Sequence, residues 1–210
     1  MVVGLAAEAR IARPLGCRVA ISGGTAKGAE AAAGKLIEAG VRALVSFGLA
    51  GGLDPALGPG TIVVPTSVIR NEQSYYADPK LMQRLGGPTQ HVSFATDHAV
   101  AKPAIKRQLY ETTGAAALDL ESGAVAFTAS VRGLPFAVLR AICDPAERYL
   151  PDAALGALDP QGAIVVWRVL VSLAADPRQL PLVFRLAADA AAARRSLRAR
   201  IKELAQSSAT

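Results

Sequence analysis

Short, continuously apolar runs, alternating with stretches of helical pattern, constrain this chain more than any other feature. They occur at residues 2–6, 18–22, 43–48 (ALVSFG), 61–70 (TIVVPTSVIR), 92–95, 115–118 and 136–143 (FAVLRAIC). A strand that is apolar at every position has both faces covered, the condition of a parallel sheet with helices on each side. Between the runs, residues 26–39, 102–112 and 121–131 read as helices. Thr25 stands at an N-cap position and Gly40 just past the C-terminus of the first; Pro103 opens the second. This predicts an α/β fold, doubly wound, with a mostly parallel mixed sheet flanked by helices. Pro65 marks an edge or a bulge within its run.

Hydrophobic residues make up 51% of the 210 and charged residues 19%, enough apolar material for a sizeable core, which excludes a disordered chain. Aromatics are only 5%, which argues against an aromatic binding platform. Cys17 and Cys143 lie far apart with no CxxC spacing, so neither a disulfide framework nor a zinc site of that type is expected. Residues 1–16 contain Glu8, Arg10 and Arg13 and do not read as a signal peptide. The longest apolar stretch, 163–175, is interrupted by Arg168 and is too short to span a bilayer. A cytoplasmic location follows as the expectation.

The charge is uneven. Residues 161–210 carry eight Lys/Arg against three Asp/Glu, whereas residues 1–160 carry 15 against 14. A near-neutral α/β domain over 1–160 and a basic helical extension over 161–210 are expected, joined by a linker at 151–160. Terminal helices are predicted at 162–175 and 180–206. The basic stretch can be a solvated helix face or can meet an anionic surface. No aromatics interleave with its distal charges, so nucleic acid is not expected. Leu180, Leu182, Val183, Phe184 and Leu186 precede the charges. They make peripheral contact with a membrane through residues 178–204, at the inner surface, the favoured use.

Ligands of open α/β sheets sit at the carboxyl ends of the strands. Four points of this sequence fall there: Glu8, the Gly48–Gly52 segment, Asp119 with Glu121, and Arg140 with Asp144. The glycine segment fits neither GxGxxG nor a P-loop; it is a tight turn or an anion cradle. Asp144 precedes Pro145 and is either a turn residue or a partly desolvated acid able to donate a proton. Glu121, at a helix start, interacts with the helix dipole or binds sugar hydroxyls. Glu8 interrupts an apolar stretch, and a charge there needs a partner or a function. His91 and His98 have no Asp or Cys to complete a metal cluster. Tyr75 and Tyr76 line a pocket or pack, and Trp167 reads as core.

Taken in order, Phe47-Gly-Leu-Ala-Gly-Gly-Leu-Asp54, Gly60-Thr-Ile-Val-Val-Pro65, Leu118-Asp-Leu-Glu-Ser122 and Arg140-Ala-Ile-Cys-Asp144 resemble the nucleoside phosphorylase superfamily. That group includes purine nucleoside phosphorylase and methylthioadenosine/adenosylhomocysteine nucleosidase. With the arginine-rich tail, the chain is most similar to the hopanoid-associated phosphorylases, which are thought to remove adenine from adenosylhopane. The resemblance implies a homo-oligomeric enzyme that cleaves the N-glycosidic bond of a nucleoside, a small molecule that is lipid-linked in this branch. It implies no metal and no cofactor, with inorganic phosphate as a possible co-substrate. It assigns Asp144 to protonation or hydrogen bonding of purine N7, Glu8 to activation of water, and Arg140 to the nucleophile's surroundings. Glu121 would bind the ribose hydroxyls, with Leu120 packed on the sugar. Ala99 and Val100 fall where the base stacks. Ser46, Gly48, Leu49, Ala50, Gly51 and Thr25 would surround the nucleophile or phosphate. Leu49 replaces a serine usual in the family, and no paired phosphate arginines are evident, so hydrolysis stays open beside phosphorolysis. The alternatives are a methylthioadenosine/adenosylhomocysteine or futalosine nucleosidase, and a non-catalytic nucleoside-binding protein.

Overall fold

The computed structural model describes residues 1–150 and 175–207. The expected linker at 151–160, Trp167 and, save Ala175, the helix at 162–175 lie outside the described residues.

Nine strands are described: β1 (Val2–Val3), β2 (Ala20–Ile21), β3 (Leu44–Gly52), β4 (Ile62–Val63), β5 (Pro65–Arg70), β6 (Gln73–Tyr76), β7 (Gln90–Ala95), β8 (Ala117–Asp119) and β9 (Phe136–Asp144). They form one mixed sheet in the order β2-β1-β3-β8-β7-β5-β6, with β9 paired to β3 and β4. Among the described residues five strand pairings are parallel and three antiparallel, as the apolar runs predict.

The helices are α1 (Ala6–Ala12), α2 (Ala26–Glu38), α3 (Pro79–Arg84), α4 (Pro103–Thr113), α5 (Ser122–Val131) and α6 (Leu180–Ser207). Thr25 caps α2, its hydroxyl accepting from Gly28 N at 3.1 Å. Pro103 occupies the first turn of α4, where its missing N–H costs nothing, and Gly114 ends that helix in the left-handed region.

Three features depart from the expectations. Residues 48–52 are strand, not loop: β3 runs through them because β9 on one side and β8 on the other supply ladder partners. The opening strand is only two residues long, and Glu8 stands on α1. The run at 61–70 breaks at Val64 into β4 and β5. The run continues into a β5–β6 hairpin, whose turn holds Asn71 and Glu72 at positive φ, as in a type I′ turn.

The principal core joins Val2, Val3, Leu44, Phe47 and Leu139 of the sheet to α2 and α5 on one side. Ala193, Leu197 and Ile201 of α6 belong to the same cluster and are fully buried. They recur at i, i+4, i+8, one stripe of a helix. Leu53, Ala115 and Leu118 form a smaller cluster, against which Val100 and Leu109 pack.

Candidate active site

β3 and β9 are parallel neighbours in register from Leu44/Phe136 to Ala50/Ile142. Their central residues carry the charged centre of the molecule. Arg140, on β9 opposite Gly48, is almost completely buried. Its Nη1 donates to Glu121 Oε2 at 3.0 Å and to Leu49 O at 3.2 Å. Its Nη2 donates to Ser46 Oγ at 2.7 Å, Asp119 Oδ1 at 3.0 Å and Glu121 Oε2 at 3.1 Å. Burial works against the guanidinium's charge, but Asp119, Glu121 and Glu8 outweigh it and hold Arg140 protonated.

Glu8 reaches this centre from the first turn of α1. Its Oε2 accepts from Leu5 N and its Oε1 from Leu49 N, both at 2.8 Å. Burial first, and the neighbouring Glu121 second, push its carboxyl up to about 7. Glu121 enters from the β8–α5 junction. Ser22 donates to its Oε1 in a short hydrogen bond. Burial raises the Glu121 pKa, against the pull of Arg140 and Ser22. Asp119 does the local building: its Oδ1 accepts from Glu121 N at 2.8 Å and Ser122 N at 2.7 Å, which fixes the start of α5.

Glycines make room for this packing. A Cβ on Gly48 would lie 2.5 Å from Glu8 Oε1 and 2.7 Å from Arg140 Nη1, and one on Gly4 would lie 2.9 Å from Glu121 Oε1. The segment that sequence offers as a tight turn or an anion cradle is thus a strand whose bare backbone lets two charged side chains lie against it.

Asp144 is a separate node. It lies four residues beyond Arg140 on β9, about 13 Å along an extended strand. An irregularity between Ala50 and Gly51 breaks the β3–β9 register just before it, and Asp144 pairs with Gly51. Its Oδ2 takes a 2.6 Å ion pair from Lys106 Nζ, while its buried Oδ1 has no hydrogen-bond partner among the described residues. Burial raises the Asp144 pKa, opposed by Lys106 and then Arg148.

Other expected site residues fall around these nodes. Ala50 is buried against Val63 and Ile142. Gly51 bridges Leu118 and Asp144 across the sheet. Leu120 is half-buried between Asp119 and Glu121. Val100 packs near Leu118 at the Asp144 end, and Ala99 is exposed. The loop holding both is tied to the chain after β9 by Leu150 N donating to Ala101 O at 3.0 Å. Thr25 is exposed and serves its helix cap, outside the charged cluster. Ser22, three residues earlier, is the hydroxyl that reaches the centre. Ser22 and Lys106 were not singled out from sequence. Ser22 ends an apolar run before Gly23-Gly24, a signal open to notice; Lys106 sits among charged residues of a helix and gives none.

Among the described residues no group of three His, Cys, Asp or Glu could hold a metal ion, and no helix is long and apolar enough to cross a membrane.

A mixed α/β sheet with a buried carboxylate–arginine centre across the middle of two parallel strands defines the class. A family model, described as the phosphorylase superfamily, matches residues 15–157. The chain belongs to that superfamily. A comparison with curated proteins finds no match. Solved structures with the same fold include 5′-methylthioadenosine/S-adenosylhomocysteine nucleosidase from Neisseria meningitidis in complex with methylthio-immucillin-A (TM-score 0.65, 17% identity, 82% of this chain and 96% of that one). The corresponding nucleosidase of Helicobacter pylori gives a TM-score of 0.66 at 17% identity over 96% of both chains. Futalosine hydrolase from the same organism gives 0.61 at 17% identity over 83% of this chain and 96% of that one.

Proposed function

We propose that this protein cleaves the N-glycosidic bond of an adenine nucleoside. The observation that carries the reading is the gathering of Glu8, Glu121 and Arg140 in one buried hydrogen-bonded cluster, with Asp144 further along the same strand as Arg140. The solved structures named above belong to proteins described as nucleosidases and a futalosine hydrolase, which agrees.

Cleavage builds positive charge on the ribosyl group and leaves electrons on the base. Asp144, whose carboxyl burial shifts upward against the pull of Lys106, gives a proton to the leaving purine. Glu121, held by Arg140 and Ser22, receives the ribose hydroxyls and faces the developing cation. Glu8, with a pKa near neutrality, takes the proton of the attacking water. Water is favoured over phosphate because the Nη donors of Arg140 are already committed to Glu121, Asp119, Ser46 and Leu49, and among the described residues no second cation shares the cluster.

The favoured substrate is a lipid-linked adenine nucleoside, adenosylhopane in the branch the sequence resembles; the enzyme works as a homo-oligomer at a membrane surface. Support comes from α6, which turns Arg195, Arg198 and Lys202 outward while Leu180 and Phe184 stay exposed nearer its start. The test incubates the protein with adenosine, methylthioadenosine and a lipid-tailed adenosine, with and without phosphate, and quantifies adenine. Release from the lipid-tailed substrate without phosphate supports the reading. Release from methylthioadenosine alone moves the protein to the other nucleosidases, and binding without release makes it a nucleoside-binding protein. Co-sedimentation with anionic vesicles at low and high salt tests the surface; equal binding by a variant with the exposed Phe184, Arg195, Arg198 and Lys202 replaced by Ser removes that role.

A further inference from the structure

Lys106 is the one fully buried lysine among the described residues, and its place is unusual. It rises from α4, a helix otherwise facing the smaller core, and buries its ammonium beneath the chain that leaves β9. Nζ lies 2.6 Å from Asp144 Oδ2, 3.0 Å from Pro145 O, 3.1 Å from Arg148 O and 3.4 Å from Asp144 O. An ammonium has three N–H donors, so four acceptors exhaust it. It has nothing left to offer a ligand. Asp144 differs: Oδ2 is taken, and Oδ1 is buried with no partner among the described residues.

We propose that Lys106 is a positioning residue for Asp144: it fixes the carboxyl through Oδ2, leaves Oδ1 as the atom that meets the base, and holds the charge that Asp144 acquires on giving up its proton. The inference rests on the nucleosidase reading and adds a residue to it. In the step concerned, the Asp144 O–H bond breaks and its proton passes to the purine. The electrons of the glycosidic bond go to the base. Asp144 becomes a carboxylate paired with the Lys106 side chain. Burial alone would make Asp144 a reluctant acid, because its charged form would have no counter-ion. The cation supplies one, already in place before the proton moves. The rival account is purely structural, in which Lys106 only ties down the carbonyls after β9.

The two accounts part on the pH dependence. The full chain is assayed for adenine release from the nucleoside it cleaves, with kcat and KM measured from pH 5 to 10 for the wild type, Lys106→Met and Asp144→Asn. Expected in the wild type is an alkaline limb that Asp144→Asn abolishes. In Lys106→Met that limb moves up by about one pH unit or more, and kcat falls about tenfold or more while KM changes little. If Lys106→Met does not fold, Lys106→Gln carries the same measurement, since it keeps a donor for the Pro145 and Arg148 carbonyls. An unmoved limb, with kcat and melting temperature falling together, overturns the positioning role and leaves the nucleosidase reading standing. A wild type that releases no adenine from any nucleoside sinks that reading first, and this inference with it.

Discussion

Both Nη atoms of Arg140 converge on a single oxygen of Glu121, Oε2, at 3.0 and 3.1 Å. The guanidinium is thereby locked in one orientation, with Asp119 and Ser46 completing its fork. Arg140→Met would leave buried carboxylates without a counter-charge. The expected loss of stability in urea unfolding is about 3–5 kcal/mol. Arg140→Lys is expected to recover little of it, because a point charge cannot reproduce the contacts that a planar fork makes through two nitrogens.

Glu8 sets the acidic side of the rate profile. As a base it must be ionised, and its pKa lies at about 7. Turnover should therefore rise about tenfold per pH unit below that value and level off above it. Glu8→Gln should lose about 10²- to 10⁴-fold in turnover and flatten the rise. A profile with the same rise in the variant would remove Glu8 from the base role.

The same group couples folding to pH. Its ordinary value is 4.5, so between pH 4.5 and about 7 the folded chain holds a proton that the unfolded chain releases. Its contribution to stability is intact below the lower value and is lost as pH rises through the higher one, on the order of 3 kcal/mol in all. Melting temperature should fall from pH 5 to pH 8, and Glu8→Gln should lessen the slope.

Asp144→Asn removes the proton donor while keeping the shape. A hundredfold loss of turnover, or thereabouts, is expected, with substrate still bound. Near-normal release of adenine would assign the proton to another source.

Gly48→Ala places a methyl group where Glu8 and Arg140 already lie, closer than atoms can approach. Either side chain must shift. A loss of about 1–3 kcal/mol is expected, with turnover falling further than stability explains. Thermal melts alongside kcat measure both.

Much of the architecture was legible because it rests on local pattern. The runs at 43–48 and 136–143 are apolar at nearly every position, and only a covered parallel strand uses such a run. The carboxylates stand out for local reasons too: Glu8 interrupts apolar sequence, Glu121 stands at a helix start, and Asp144 ends an apolar run before Pro145. Harder to read was whatever depends on a distant neighbour. Residues 48–52 become strand only because β8 and β9 flank them. The burial of Lys106 is decided by Asp144, 38 positions away, so a charged helix in the sequence disguises it. Ser22 takes its role from Glu121, 99 positions on. Thr25, by contrast, has its cap partner three residues away, and that local duty keeps it outside the charged cluster.

Leu197 and Ile201 sit in the same apolar cluster as Val2 and Val3, and α1, which carries Glu8, packs against the helix they belong to. The element that bears Glu8 is thus braced by a helix far along the chain from it. Stripping Leu197 and Ile201 from the sheet would bare apolar surface and free α1 at the same time. Integrity of the buried charge is therefore coupled to a distant apolar stripe rather than to its own neighbours alone.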